Sequence, residues 1–220
     1  MMCTFPFTDM DPFESQDEKT VVVNSGEAAV LEFPPLKSYP PPSVLWQARD
    51  NSLLYGSKFA TTSDFKQVIL DVNGADQKSY RARATNTQLG QEENSGYINV
   101  VVTNQNDYGR SQLAPTIIVP PKDAQIIKGQ NEHELQCIAN ARPLHELETV
   151  WMKDGVPVDT AGIKTSFNDL YNRTLSLLKI DVQHAGEYTC HAKLRGSNFP
   201  VQSASATIAV IGKQAQHEYF

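Results

Sequence analysis

Residues 184–190 read His-Ala-Gly-Glu-Tyr-Thr-Cys, and this stretch decides the fold of the second half of the chain. Cys190 follows Tyr188 by two positions, and Trp151 follows Cys137 by fourteen. An immunoglobulin sandwich has this order, with a cysteine on strand B, a tryptophan on strand C and a tyrosine corner just before the second cysteine on strand F. We therefore predict an immunoglobulin sandwich with Trp151 and Tyr188 in its core and a disulfide between Cys137 and Cys190.

The first half of the chain repeats these landmarks without the cysteines. Trp46 takes the position of the strand C tryptophan, and Tyr80 takes the position of the corner tyrosine. Phe33 and Ala82 occupy the two cysteine positions, unless the proline-rich turn that follows strand B shifts the register by two residues. Because no cysteine lies between residues 4 and 136, we predict a sandwich without an inter-sheet disulfide, with Trp46 and Tyr80 in its core.

Short alternating strands without helical periodicity indicate that the whole chain is all-β. The predicted architecture is two tandem immunoglobulin-like sandwiches of the I-set type. The predicted divisions are a connector, the first sandwich, a polar linker, the second sandwich and a tail: 1–18, 19–103, 104–114, 115–212 and 213–220. The linker is long enough for a bend between the sandwiches, whereas an extended pair often shares a very short connection.

The charge of the chain argues against a nucleic-acid partner. The formal net charge is −6 and the isoelectric point is near 5.4, whereas binding to a phosphate backbone needs a basic face. Much of the acidic surplus lies in one run near the start of the chain, at Asp9, Asp11, Glu14, Asp17 and Glu18. Such a run is typical of a solvated linker.

The cysteines point to the compartment of the protein. A structural disulfide forms in an oxidising environment, which predicts a secreted or cell-surface location. Cys3 is left over, either at the edge of a neighbouring module or in an intermolecular bridge. The first fourteen residues lack the apolar core of a signal peptide, and no apolar run is long enough to span a membrane. We therefore expect a piece of a larger extracellular protein.

The sequence contains no catalytic or metal-binding signature. The five histidines form no H-E-x-x-H motif, and neither G-x-S-x-G nor a glycine-rich phosphate loop is present. His184 and His191 are interpreted as surface side chains beside the tyrosine corner, and Arg195-Gly196-Ser197 as a tight turn. We predict that the protein is not an enzyme and has no cofactor or metal site.

Two surface features remain. Asn172-Arg173-Thr174 is the only N-x-S/T sequon, which predicts a glycan at Asn172 in an exposed turn. The second feature is a candidate interface on the outer face of the first sandwich, where side chains alternate with the buried Trp46. It consists of Leu45, Gln47, Arg49, Arg81 and Arg83. The alternatives are that the arginines only solvate the strand, or that Leu53-Leu54-Tyr55 is the apolar contact.

Several motifs resemble the sidekick family of adhesion proteins. Ala114-Pro115-Thr116-Ile117-Ile118-Val119-Pro120-Pro121-Lys122 and Cys137-Ile138-Ala139-Asn140-Ala141-Arg142-Pro143-Leu144 are similar to the third immunoglobulin domain of that family. Ser25-Gly26-Glu27-Ala28-Ala29-Val30 and Pro40-Pro41-Pro42 resemble its second domain, which also lacks the usual cysteine pair. One departure is His184, where an acid is usual.

The resemblance implies a function and a place in the cell. Sidekick proteins are single-pass receptors that mediate homophilic adhesion at synapses and epithelial junctions. The implied partner is the same protein on an apposed cell, with the membrane reached only through other parts of the parent chain. The resemblance also implies that the linker is the bend of a folded-back array. The alternative from another class is a spacer pair in an extracellular matrix or muscle-type array.

Overall fold

The computed structural model describes residues 9–34, 36–104, 112–167, 169 and 171–212. The chain divides into two compact units, residues 1–110 and 111–220. Over the described residues both units consist of strands joined by turns and by three single-turn 3-10 helices, so the all-β prediction is confirmed. Cys3, most of the predicted linker and the predicted tail 213–220 lie outside the described residues.

The first unit is a sandwich of two main sheets. One sheet has the order β2-β10-β8-β5, with β9 added beside β8, and the other has the order β3-β7-β6. A short pair joins β1 to β4. The strands are β1 (Asp9–Met10), β2 (Lys19–Asn24), β3 (Ala29–Leu31), β4 (Ser38–Tyr39), β5 (Ser43–Ala48), β6 (Phe59–Thr61), β7 (Gln67–Ile69), β8 (Ser79–Asn86), β9 (Gln91–Asn94) and β10 (Ile98–Thr103).

The second unit repeats this plan. One sheet has the order β12-β20-β19-β15-β16, a second has the order β13-β18-β17, and β11 pairs with β14. Its first strand starts at Leu113, two residues before the predicted domain start. The strands are β11 (Leu113–Val119), β12 (Ala124–Ile127), β13 (Glu132–Gln136), β14 (Ile138–Arg142), β15 (Leu147–Lys153), β16 (Val156–Pro157), β17 (Thr165–Phe167), β18 (Thr174–Leu178), β19 (Gly186–Leu194) and β20 (Gln202–Ile211).

Each sandwich has its own apolar core between the two sheets. Trp46 and Tyr80 are buried in the first core, and Trp151 and Tyr188 are buried in the second. Cys137 and Cys190 form a disulfide and are fully buried. Both indole N–H groups donate to a backbone carbonyl at 2.8 Å, that of Phe65 in the first sandwich and that of Asn172 in the second.

Residues 9–18 differ from the predicted solvated connector. Asp9–Met10 pairs with Ser38–Tyr39, and Phe13 is buried with its ring edge-on to Phe33 at a centroid distance of 5.1 Å. The segment also lies directly over Gly96, where an added Cβ would meet the carbonyl oxygen of Gln16 at 2.6 Å. Asp11, Glu14, Asp17 and Glu18 are exposed. The segment therefore resembles a solvated linker in the sequence, although Met10 and Phe13 are buried.

Both sandwiches have the predicted tyrosine corner. Tyr80 donates its phenolic O–H to the carbonyl of Asp76 at 3.0 Å, and Tyr188 donates to the carbonyl of His184 at 2.9 Å. Burial raises the pKa of both phenols, with smaller contributions from Asp76 and Asp154. Each phenol is therefore protonated at neutral pH and remains a hydrogen-bond donor.

His184 is buried, in contrast to its interpretation as a surface side chain. Its Nδ1 accepts from the backbone N–H of Asp181 at 3.0 Å. In the first sandwich Asp76 accepts from the backbone N–H of Asn73 at 2.8 Å. The imidazole therefore replaces a carboxylate as the acceptor that closes a one-turn capping box.

The strand pairing places Phe33 at the position of Cys137. Leu31 pairs with Gln67 in the first sandwich, and Leu135 pairs with Leu175 in the second. Strands β7 and β18 correspond to each other, because the same hydrogen bond follows in both sandwiches. Leu70 N–H donates to the Lys58 carbonyl at 2.8 Å, and Leu178 N–H donates to the Lys164 carbonyl at 2.9 Å. Leu31 and Leu135 are therefore equivalent, and Phe33 and Cys137 each lie two residues after them. Opposite them, Trp46 pairs with Ala82 and Trp151 pairs with Cys190.

This register predicts that a disulfide can be introduced into the first sandwich. We expect the Phe33→Cys/Ala82→Cys variant to form an intramolecular bridge on oxidation, because these positions correspond to the native pair. The Leu31→Cys/Ala82→Cys variant is the matched control and should keep free thiols, since a shift of two residues moves the first sulfur by about 7 Å along the strand. Thiol alkylation and mass spectrometry distinguish the two. Free thiols in the first variant with a bridge in the second would show that the register is wrong.

Candidate functional site

The candidate interface lies on the outer face of the sheet that contains β5 and β8. Leu45 pairs with Arg83 and Gln47 pairs with Arg81 across these strands. Trp46, Ala82 and the other inward residues alternate with them, because successive side chains of a strand point to opposite faces. The side chain of Leu45 is 48% exposed, so the centre of this face presents an apolar group to solvent.

Tyr97 holds two of the predicted arginines. The Cζ atoms of Arg49 and Arg81 lie 4.4 and 5.3 Å from the centroid of its ring, within the range of a cation–π interaction. Arg49 also donates to Glu18 Oε1 at 2.8 Å. Arg81 Nη2 donates to Asn51 Oδ1 at 3.1 Å. Both guanidinium groups therefore have contacts within the sandwich that favour one orientation, and such preorganisation reduces the entropy lost on binding.

Gln47 is not part of the exposed surface, although the alternation of β5 places it on the outer face. Only 2% of the residue is accessible. With its oxygen turned toward Arg81, its carboxamide accepts from Arg81 Nε at 2.8 Å. The backbone of Leu53 forms a bridge to Gln47, and this loop covers the side chain. Gln47 therefore positions Arg81 and does not itself form a contact surface.

Arg83 and Asn94 lie opposite each other beside Leu45. Arg83 Nε and Asn94 Oδ1 are both buried, and neither has a hydrogen-bond partner among the residues that the structure describes. Unpaired buried polar groups cost about 1–3 kcal/mol each.

The face carries charges of both signs at opposite ends. Glu92 is exposed and pairs with Thr85, four residues along β8 from Arg81. Four residues of a strand span about 14 Å. Along the face, Glu92 therefore comes first, Leu45 and Arg83 lie in the middle, and the arginines that contact Tyr97 lie at the other end. Across the part of the chain that the structure describes, no group of three acidic, histidine or cysteine side chains is arranged to hold a metal ion.

Comparison with known proteins identifies the family. The Immunoglobulin I-set domain family matches residues 12–100, and a second immunoglobulin domain family matches residues 114–193. Over 202 residues the sequence is 46% identical to Protein sidekick of Drosophila melanogaster. This match covers 92% of this chain and 9% of that protein. The chain belongs to the sidekick family. The resemblance seen in the sequence is thereby confirmed.

Other sidekick relatives agree with this assignment. Protein sidekick-2 of Mus musculus is 37% identical over 92% of this chain and 9% of its own length. The solved structure of Sidekick-1 immunoglobulin domains 1-5 has a TM-score of 0.83 and 31% identity, covering 93% of this chain and 41% of that one. The chain thus spans about a tenth of the length of these full-length relatives. Among its described residues, no helix is long and apolar enough to cross a membrane.

Two predicted features of this sidekick chain remain, the segment Leu53-Leu54-Tyr55 and the sequon at Asn172. Leu53 and Leu54 are half-buried, Leu54 packs against the first core, and Tyr55 is 74% exposed, so only Tyr55 of this segment presents a large apolar surface to solvent. Asn172 lies in the second sandwich, in the turn before β18. No sequence pattern pointed to Tyr97, Asn51 or Glu18, because their contacts with Arg49 and Arg81 join residues 16 or more positions apart.

Proposed function

We propose that this chain is part of the extracellular region of a single-pass cell-surface receptor that mediates homophilic adhesion. Membership of the sidekick family and the immunoglobulin fold support a role in protein recognition. The buried Cys137–Cys190 disulfide supports an extracellular location, because such bonds persist in oxidising compartments. We assign the two sandwiches to the second and third immunoglobulin domains of the parent protein, in line with the resemblance of their motifs.

The observation that carries this proposal is an exposed leucine beside arginines that are already held by contacts within the sandwich, on the outer face of the sheet. Leu45 is half exposed, and Arg49 and Arg81 are held by Tyr97 on one side of it. Arginine and aromatic residues are enriched at protein interfaces, where a desolvated centre is surrounded by polar groups. An arginine that only keeps a strand soluble needs no contact with an aromatic ring, so the contacts of Arg49 and Arg81 with Tyr97 favour a role in binding.

The charge order on this face fits self-association. A two-fold axis brings the same patch of two molecules together, so that residue i of one contacts residue j of the other and the reverse. With the axis near Leu45 and Arg83, Glu92 of each molecule lies opposite Arg81 of the other. Opposite charges then meet at both ends and Leu45 is buried at the centre, where the two Arg83 side chains turn outward to avoid each other.

Charge reversal on this face tests the proposal. We expect the Arg81→Glu/Arg83→Glu variant of the full ectodomain to self-associate at least about tenfold more weakly, equivalent to about 1.4 kcal/mol. Aggregation of ectodomain-coated beads measures the change. Lys37→Glu/Lys78→Glu is the matched control, since both lysines are exposed on the same sandwich and the net charge changes equally. Equal aggregation of both variants and the native protein would remove this face from the interface.

A mixing experiment tests the orientation of the two molecules. Beads carrying Arg81→Glu alone and beads carrying Glu92→Arg alone should each aggregate weakly, because like charges then meet at both ends. Mixed together, the two variants restore opposite charges at both contacts, and we expect joint aggregates. If mixing restores nothing, the axis does not pass near Leu45.

A spacer pair is the alternative function, and solution mass separates it from adhesion. A spacer stays monomeric at high concentration in analytical ultracentrifugation of the ectodomain. A homophilic receptor shows a concentration-dependent dimer that the Arg81→Glu/Arg83→Glu variant loses.

A further inference from the structure

Several backbone hydrogen bonds hold the described residues of the turn that carries the sequon of the second sandwich. Tyr171 N–H donates to Asp169 Oδ1 at 2.7 Å, and Asn172 N–H donates to the Asp169 carbonyl at 3.2 Å. The carbonyl of Asn172 accepts from the Trp151 indole, and the carbonyl of Arg173 accepts from Cys137 N–H at 2.7 Å. Asn172 has a φ of 52°, a left-handed conformation that asparagine tolerates well. The direction of its side chain is therefore set by the core.

The Asn172 side chain lies at the wall of a groove on the second sandwich. The groove has a volume of about 380 Å³ and is lined mainly by polar side chains, namely those of His145, Glu148, Thr149, Tyr171, Asn172 and Arg195. Asn172 is half exposed and donates from Nδ2 to the carbonyl of Thr149 at 3.3 Å. A neutral carboxamide nitrogen carries two hydrogens, and only one of them is used in this bond.

We infer that Asn172 carries an N-linked oligosaccharide whose first N-acetylglucosamine lies in this groove. In the transfer reaction a polyprenyl-diphosphate-linked oligosaccharide is the donor. The bond from sugar C1 to the diphosphate oxygen breaks, a bond from C1 to Asn172 Nδ2 forms, one amide proton is lost to the transferase, and the polyprenyl diphosphate leaves. The chain enters the compartment of this reaction on the same route that leads to its disulfide.

The folded structure tolerates the product for a specific reason. A glycosylated asparagine keeps one N–H, so the hydrogen bond from Nδ2 to the Thr149 carbonyl survives the modification. The second hydrogen, which the sugar replaces, has no partner to lose among the described residues. The groove then supplies hydroxyl, imidazole, carboxylate and guanidinium groups within reach of the sugar hydroxyls.

The first sandwich does not share this site. Phe65 takes the position of Asn172, because its carbonyl accepts from the Trp46 indole as that of Asn172 accepts from Trp151. The outer face with Leu45 and the arginines that contact Tyr97 lies in the first sandwich. The inference is therefore independent of the proposed adhesion face, and either can fail alone.

Secretion of the full chain from animal cells behind an added signal peptide tests this inference. We expect the purified protein to carry one oligosaccharide, which peptide N-glycosidase removes while converting Asn172 to aspartate in the mapped peptide. The Thr174→Ser variant should keep the oligosaccharide, and the Thr174→Val variant should lose it completely. Thr174 is half-buried at the first position of β18, and both substitutions preserve its size closely.

If the Thr174→Val variant is not secreted, the Asn172 peptide from the secreted native protein is sufficient to test the inference. An unmodified Asn172 in the peptide from secreted native protein would overturn the inference. An oligosaccharide on Asn172 that is trimmed by glycosidases as fast as that of the denatured protein would overturn its placement in the groove. Slower trimming in the folded protein supports that placement.

Discussion

Replacement of both bridged cysteines, Cys137→Ala/Cys190→Ala, is expected to lower the free energy of unfolding of the second sandwich by about 4 kcal/mol. The disulfide joins residues 53 positions apart, and the loss of loop entropy in the unfolded chain predicts this value. The two sulfur atoms are also fully buried against Trp151. A loss of this size is a large fraction of the stability of an ordinary domain.

Hydrogen exchange resolves this effect within the intact chain. We expect amides of β15 and β19 to exchange about a thousandfold faster, since each 1.4 kcal/mol corresponds to a factor of ten. Amides of β5 and β8 are the internal control and should be unchanged, because the first sandwich has its own core and no disulfide. Faster exchange in both sandwiches alike, or in neither, would contradict the prediction.

Truncation of one ring near the start of the chain should destabilise the first sandwich strongly. We expect Phe13→Ala to cost about 3–4 kcal/mol, because Phe13 is 4% exposed and packs against Phe33, which in turn contacts Trp46 at a centroid distance of 5.7 Å. Removing a buried phenylalanine side chain leaves a cavity and loses its transfer free energy. A solvated connector would show no such cost.

Pulse proteolysis across a urea series measures this loss, with the surviving fragments identified by mass. Glu14→Ala is the matched control: it is the next residue, it is exposed, and its substitution should change stability by less than about 0.5 kcal/mol. If Phe13→Ala and Glu14→Ala unfold at the same urea concentration, residues 9–18 do not belong to the first core.

Contacts set by spacing along the chain were predictable. The distance from Tyr188 to Cys190 and the order Cys137, Trp151, Cys190 are properties of strands B, C and F in any such sandwich. The absence of cysteine from residues 4–136 makes a bridge in the first sandwich chemically impossible. The resemblance to the sidekick family also rested on linear motifs, and comparison with relatives confirmed it.

Contacts between distant segments were not predictable. The alternation of β5 gives the face on which Gln47 lies, but the loop at Asn51 and Leu53 decides that this side chain is covered. Arg49 and Arg81 both contact the Tyr97 ring, and only the pairing of the strands brings Tyr97 beside them.

The sequence by itself determined two β-sandwiches, one bridged and one without a disulfide, because a period of two and a few spacings specify strands and their buried faces. Only the tertiary structure decided which outward residues are exposed, how the acidic segment at 9–18 joins the first core, and that His184 is an internal acceptor. The physical reason is that exposure depends on what covers a side chain, and the covering groups come from parts of the chain whose positions are fixed only when the sheets pack.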